Sequence, residues 1–161
     1  MVEVIAFLFE GFINRQIDMQ ISLEQIAREL PEAGFSNDEI DFAMIWLDDT
    51  LNHEHLDVKA LNSCDGFRIY NEFEEKKLDE EARGLLYFLE QNKMITPAVR
   101  ELIIDRALAL HINYVGKEEM RWVLLFVMMN SNARNDILIW IEKSIADIVA
   151  LRTSPQKLVE A

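Results

Sequence analysis

Four times along the chain, a residue able to cap a helix stands just before a stretch whose apolar side chains recur every three to four positions. Those residues are Ser22, Ser36, Asn71 and Thr96. Gln25, Glu39 and Glu74 lie three residues beyond the first three, where a long polar side chain reaches back to the cap amide, and Pro97 follows the fourth in the first helical turn that proline tolerates. A chain punctuated this way is committed to helices. With five Gly and three Pro in 161 residues, it lacks the turn residues for many strands.

The periodicity predicts seven helices. Val2, Ile5, Ala6, Phe9, Phe12 and Ile13, widened by Phe7 and Leu8, mark a largely buried helix over residues 2–14. This start carries no Lys or Arg ahead of its apolar run and no small-residue cleavage site, so it reads as core and not as a leader. Leu23, Ile26, Ala27 and Leu30 face the second helix, which Gly34 stops. Ile40, Ala43, Met44, Leu47 and Leu51 continue the third. A fourth runs from Asn71 to about Asn92, kinked near Leu78-Asp79, with Ala82, Leu85, Leu86 and Leu89 on its face, and a fifth carries Val99, Leu102, Ile103, Arg106, Ala107 and Leu110. The sixth, Lys117 to about Asn130, is apolar nearly all round and is expected at the centre. Ile137, Leu138, Ile141, Ile145, Ile148 and Val149 mark a last helix ending near Arg152, and residues 153–161 read as a flexible tail.

The tight segment Pro31-Glu32-Ala33-Gly34-Phe35-Ser36 between the second and third helices is the sequence form of a helix-turn-helix. After it, Leu56, Val58 and Ala60 alternate, Asn62-Ser63-Cys64-Asp65-Gly66 is dense in turn formers, and Phe67 to Tyr70 alternates again. That pattern predicts a short β-hairpin. The expected fold is therefore mainly α: an acidic winged-helix-like part over residues 1–71, and a small helical bundle over 72–152 packed against it.

Charge divides at nearly the same place. Residues 1–81 carry 20 acidic and 6 basic side chains, residues 82–161 carry 9 and 10, and the whole chain has a net charge of −13. The third helix, where a DNA reader would present Arg, Lys, Asn or Gln, instead presents Asp38, Glu39, Asp41, Asp48 and Asp49. Carboxylates facing a polyanion lose Coulomb energy and release no counterions, so direct nucleic-acid binding by this helix is disfavoured. Asp38, Asp41, Asp48 and Asp49 are instead the candidate partner-binding residues, directed at a protein with a basic surface. The bland alternative is a solvated acidic face. A second alternative is nucleic-acid association through the less acidic half, using Arg83, Lys93, Arg100, Arg121 and Arg134.

Catalytic chemistry finds no foothold, and no enzyme, cofactor or metal is expected. Cys64 is the only cysteine, which excludes an intramolecular disulfide and fits a reducing cytoplasm. Asn52-His53-Glu54-His55 holds metal-binding residue types, but a third ligand such as Asp57 or His111 has to arrive by folding. His111 itself reads as an end-of-helix side chain satisfied by the last carbonyls. No phosphate-binding Gly loop or Gly-x-Ser-x-Gly elbow occurs, and no run approaches the roughly 20 apolar residues of a membrane span. Arg68, Arg83, Arg100 and Arg106 each lie beside apolar positions and are expected to be partly buried against carboxylates such as Glu90, Glu101 or Asp105, holding the two halves together.

Several stretches, taken in order, resemble the bacterial Smg family. They are Phe7-Leu8-Phe9-Glu10, then Ala33-Gly34-Phe35 with Ile40, Ala43 and Trp46-Leu47, then Phe67-Arg68-Ile69-Tyr70. Leu78 through Gln91, Arg100-Glu101, Arg106 through Leu110, and Trp122-Val123-Leu124 continue the match. The turn at residues 62–66 and the stretch after 130 depart most from the family pattern. The resemblance implies a small cytoplasmic bacterial protein of uncharacterised molecular function, often encoded beside the DNA-processing protein Smf. By association, that neighbourhood implies a link to DNA processing or translation; the acidic third helix and the absence of catalytic motifs lead to a non-enzymatic adaptor that binds a protein partner.

Overall fold

A computed structural model of the protein describes residues 1–15, 25, 27–52, 67–130 and 143. Six helices are set out in it: α1 (Val2–Arg15), α2 (Asn37–Leu51), α3 (Glu72–Lys77), α4 (Glu80–Gln91), α5 (Pro97–Leu108) and α6 (Lys117–Asn130). The fold is mainly helical, as the sequence predicts.

The caps work as the side-chain chemistry requires. Ser36 Oγ accepts the Glu39 amide while the Glu39 carboxylate accepts the Ser36 amide, and Asn71 with Glu74 repeats the reciprocal pair at α3. Thr96 caps α5 through the Val99 amide, with Pro97 in its first turn. Gly34 adopts φ +93°, a left-handed conformation that costs other residues, and the chain reverses there before α2.

The expected kink near Leu78-Asp79 is a full break. Leu78 leaves the helix for an extended conformation and forms a parallel bridge with Val115. The Val115 amide donates to the Lys77 carbonyl at 2.6 Å, and the Asp79 amide donates to the Val115 carbonyl at 3.1 Å. Asp79 then restarts the helix by accepting the Ala82 amide at 2.7 Å. Lys77 Nζ reaches across to the carbonyl of Leu108, the last residue of α5, at 2.6 Å and to that of Leu110, just beyond it, at 2.8 Å.

The centre of the molecule is α6. Met120 and every residue from Trp122 to Met128 are buried, and α6 packs against α1, α2, α4 and α5. Its all-round apolar composition follows from having a neighbour on every side. A continuous core joins Val4, Ile5 and Leu8 of α1 and Trp46 and Leu47 of α2 to Leu86, Leu89, Ile103 and Leu124. Trp46 ties the sequence halves directly, its Nε1 donating to the Arg106 carbonyl at 2.8 Å and its ring standing edge-on to Phe126.

The β-hairpin is where expectation and structure part. Its first arm and turn lie outside the described residues, and Phe67–Tyr70, the second arm, carries no strand. Among the described residues the only β-pairing is the Leu78–Val115 bridge. The Ser22 cap and residues 137–142 and 144–152 of the last helix also lie outside the described residues, as does the tail at 153–161; Gln25, Ala27 and Lys143 are helical.

Candidate interaction face on the acidic helix

Helix α2 is anchored by one side and presents the other. Ala43, Trp46, Leu47 and Thr50 are buried, and the Thr50 hydroxyl donates to the Trp46 carbonyl within the helix. At 100° per residue, Asp38, Asp41, Phe42, Ile45, Asp48 and Asp49 fall within one arc on the opposite side, and all six are exposed. The structure therefore brings the four candidate aspartates onto one face. It also adds two apolar side chains among them that the sequence reading left out: Phe42 is 41% exposed and Ile45 is 61% exposed. Both fall off the buried stripe of α2, which is the signal by which they were findable.

The electrostatics of this face are one-sided. Asp38 and Glu39 sit in the first turn, where the helix dipole favours negative charge, but Asp48 and Asp49 sit in the last turn, where it does not, and that turn holds no basic residue. Among the described residues none of the four aspartates forms an ion pair; Asp48 accepts only the Asn52 amide, at 2.6 Å. Glu39 is otherwise engaged. Hydrogen bonds from the Ser36 backbone and hydroxyl, with the Met1 amine 3.7 Å away, hold its carboxyl below the ordinary carboxylate range.

His111 does not end a helix as expected. Its helix, α5, stops at Leu108, and the imidazole is stacked on the Phe42 ring with centroids 4.0 Å apart and planes 9° from parallel. The stack connects the α2 face to an open cleft of about 580 Å³ lined by Glu3, Glu39, Tyr114, Glu119 and Trp122. Sequence reasoning had no signal for this cleft, which is assembled from three separated stretches. His53, His55 and Cys64 lie outside the described residues. Among the described residues no three His, Cys, Asp or Glu side chains gather as a metal site, and no helix is long and apolar enough to cross a membrane.

The four arginines expected to meet carboxylates all do so. Arg68 forks onto Glu74 through two 2.7 Å bonds and reaches Glu101 at 2.9 Å. Arg100, buried, holds Glu90 at 2.6 Å and the same Glu101 at 2.9 Å. Arg83 meets Glu75 at 3.4 Å, and Arg106 meets Asp105 at 2.6 Å. The Arg68 hydrogen bonds hold the Glu74 carboxyl below its usual value. Tyr70, under both Arg68 and Arg83, is pushed up by burial. Of the basic set considered for nucleic acid, Arg100 is thus consumed internally, Arg83 is paired, Lys93 is exposed at the end of α4, and Arg134 lies outside the described residues.

Comparison with known proteins identifies the family of the chain. The family model described as "Protein of unknown function (DUF494)" matches residues 1–150. A Protein Smg homolog of Thioalkalivibrio sulfidiphilus is 33% identical over 146 residues, covering 91% of this chain and 92% of the relative. One from Methylobacillus flagellatus is 38% identical over 138 residues, covering 86% and 90%. One from Vibrio vulnificus is 34% identical over 134 residues, covering 81% and 84%. No solved structure matches the chain. With a family model spanning nearly its whole length and relatives matched almost end to end, the chain belongs to the Smg family, DUF494.

Proposed function

We propose that the protein is a non-enzymatic interaction module, an adaptor in the cytoplasm, whose α2 face docks onto the basic surface of a protein partner. One observation carries this reading: Asp38, Asp41, Asp48 and Asp49 surround Phe42 and Ile45 on a single exposed face, with no counter-charge among the described residues. Interfaces combine apolar contact area with charge that steers and orients, and this face supplies both. The partner's complement is a cluster of Lys and Arg around a small apolar depression. A nucleic-acid-handling protein has such a surface, in keeping with the link to DNA processing or translation that the family resemblance implies.

In the same reading residues 1–71 form a winged-helix-like part. What supports this is the alternation alone: Phe67 and Ile69 are 86% and 88% exposed while Arg68 and Tyr70 are half-buried, although these residues carry no strand. The remainder forms the helical bundle that supports it.

Affinity capture from a bacterial lysate, with and without nuclease, tests the proposal. Wild type is compared with a variant carrying Asp38→Asn, Asp41→Ser, Asp48→Asn and Asp49→Ser. The expected result is a protein captured stoichiometrically by wild type despite nuclease and lost by the variant. Capture that disappears with nuclease and ignores the substitutions overturns the proposal in favour of nucleic-acid association through the second half.

A further inference from the structure

A second site lies on the other side of α6, independent of the α2 face. An open pocket of about 410 Å³ is lined by Glu81, Gly84, Leu85 and Phe88 of α4 and by Lys117 and Arg121 of α6. The spacing explains the pocket. Residues 81, 84, 85 and 88 share one face of α4, and Lys117 and Arg121 are one turn apart on α6, so two cations stand together opposite an apolar wall. A Cβ built on Gly84 meets nothing within 4 Å, so the wall is open at its middle.

Arg121 is the anomaly. Arg68, Arg83, Arg100 and Arg106 each meet a carboxylate, in a chain with 29 Asp and Glu to choose from. Arg121 meets none among the described residues, and its Nε is buried with no hydrogen-bond partner. A buried donor without an acceptor is costly and asks for a reason. Lys117 beside it is exposed and likewise without an ion pair among the described residues, although Glu81 lines the same pocket. Among the described residues, then, no acid forms an ion pair with either cation.

We infer that the α4–α6 pocket is a binding site for a small oxyanion carrying an apolar group, held by Arg121 and Lys117 against Leu85 and Phe88. The chemistry follows from the lining. A guanidinium offers its Nε–Nη edge as two parallel donors, a geometry that matches a carboxylate or phosphate, and a torsional adjustment of the long side chain gives Nε the acceptor it lacks. Lys117 adds a second charge without geometric demand. Leu85 and the half-exposed Phe88 ring provide apolar contact beside the anion. Glu81 at the wall, together with the net charge of −13, opposes polyanions and favours a compact, singly charged ligand.

The test uses the full chain and three probes at constant ionic strength: benzoate, inorganic phosphate and chloride. Nitrogen-15 NMR follows the Arg121 Nε–H and the backbone amides of Gly84, Leu85 and Phe88. Benzoate is expected to shift these signals saturably, inorganic phosphate to bind at least tenfold more weakly, and chloride to do nothing. Arg121→Gln and Lys117→Gln are each expected to weaken benzoate at least tenfold. Gly84→Leu, which fills the pocket and leaves both cations in place, is expected to abolish binding, and it decides the matter if circular dichroism shows that Arg121→Gln is unfolded. Signals that respond to chloride as to benzoate, that respond to no probe, or that respond in Gly84→Leu as in wild type overturn the inference. Equal affinity for phosphate and benzoate overturns its apolar half.

Discussion

Replacing Arg68 with Met tests how the first half of the sequence is fastened to the second. Arg68 forks onto Glu74 through two 2.7 Å hydrogen bonds, touches Glu101, and lies 4.6 Å from the Tyr70 ring centroid. Glu74 is only 8% exposed, whereas Glu101 retains Arg100 when Arg68 is gone. An exposed pair contributes about 0–1 kcal/mol, and removing one partner of a buried pair costs about 3–5 kcal/mol. The Arg68–Glu74 pair lies between these limits, nearer the buried one, so Arg68→Met should cost about 2–4 kcal/mol at pH 7, or roughly 5–15 °C in melting temperature for a chain of this size. The pH dependence separates lost pairing from lost packing. In wild type the Glu74 carboxyl is held below its usual value by Arg68, so this stabilisation is complete above the unfolded value of about 4.5 and is lost as pH falls through the lower folded value. In the variant Glu74 is a buried carboxylate without its cation, and protonation relieves it, so acid costs the variant less than wild type. Urea unfolding at pH 7 and at pH 3.5 should therefore show a gap between the two proteins that narrows in acid. A gap below about 1 kcal/mol at pH 7, or one unchanged at pH 3.5, refutes the argument, since surface pairs contribute no more than that.

Three other substitutions probe separate links. Trp46→Phe removes the bond to the Arg106 carbonyl and part of a buried ring, and should cost about 2–3 kcal/mol in urea unfolding. Gly84→Ala adds a methyl that meets nothing in the middle of α4, and should stabilise by about 0.5–1 kcal/mol, read as a rise in melting temperature. Asp49→Asn, at the negative end of the α2 dipole, should stabilise by about 0.3–1 kcal/mol, and Asp38→Asn, at the positive end, should destabilise by a similar amount; thermal unfolding at low salt distinguishes the signs.

What the sequence made legible was local. The starts of α2 and α3 were readable because a cap and its reciprocal partner lie three residues apart, and that of α5 because Pro97 follows the Thr96 cap; such local signals form before any tertiary contact is needed. The break at Leu78 was visible only as a weakness in the pattern. Its cause, the bridge to Val115, lies across the chain and leaves no local mark. The arginine pairing was half readable: Glu90, Glu101 and Asp105 stood out as acids near apolar stripes, but Glu74 had been assigned to a cap, and the structure uses it for both cap and Arg68. The Phe42–His111 stack was beyond reach, because 69 residues separate two rings that only the packing of α2 against the end of α5 brings together.

The pairing pattern divides the charges by purpose. Charges that lie in or beside the core are matched: Arg68, Arg100 and their three glutamates form one linked cluster, and Lys77 donates to the last carbonyl of α5. Among the described residues, two groups of unpaired charges sit beside exposed apolar side chains: the aspartates around Phe42 and Ile45 on α2, and the cations beside Phe88 between α4 and α6. If the acids of α2 served only solubility, their position along the helix would be indifferent, and selection for stability would move them toward the first turn. Asp48 and Asp49 stand instead where the dipole opposes them, on the arc that holds Phe42 and Ile45. A gain in stability from Asp49→Asn together with a loss of capture is the signature of a residue kept for binding at the expense of the fold. A gain in stability with capture intact assigns it to solvent.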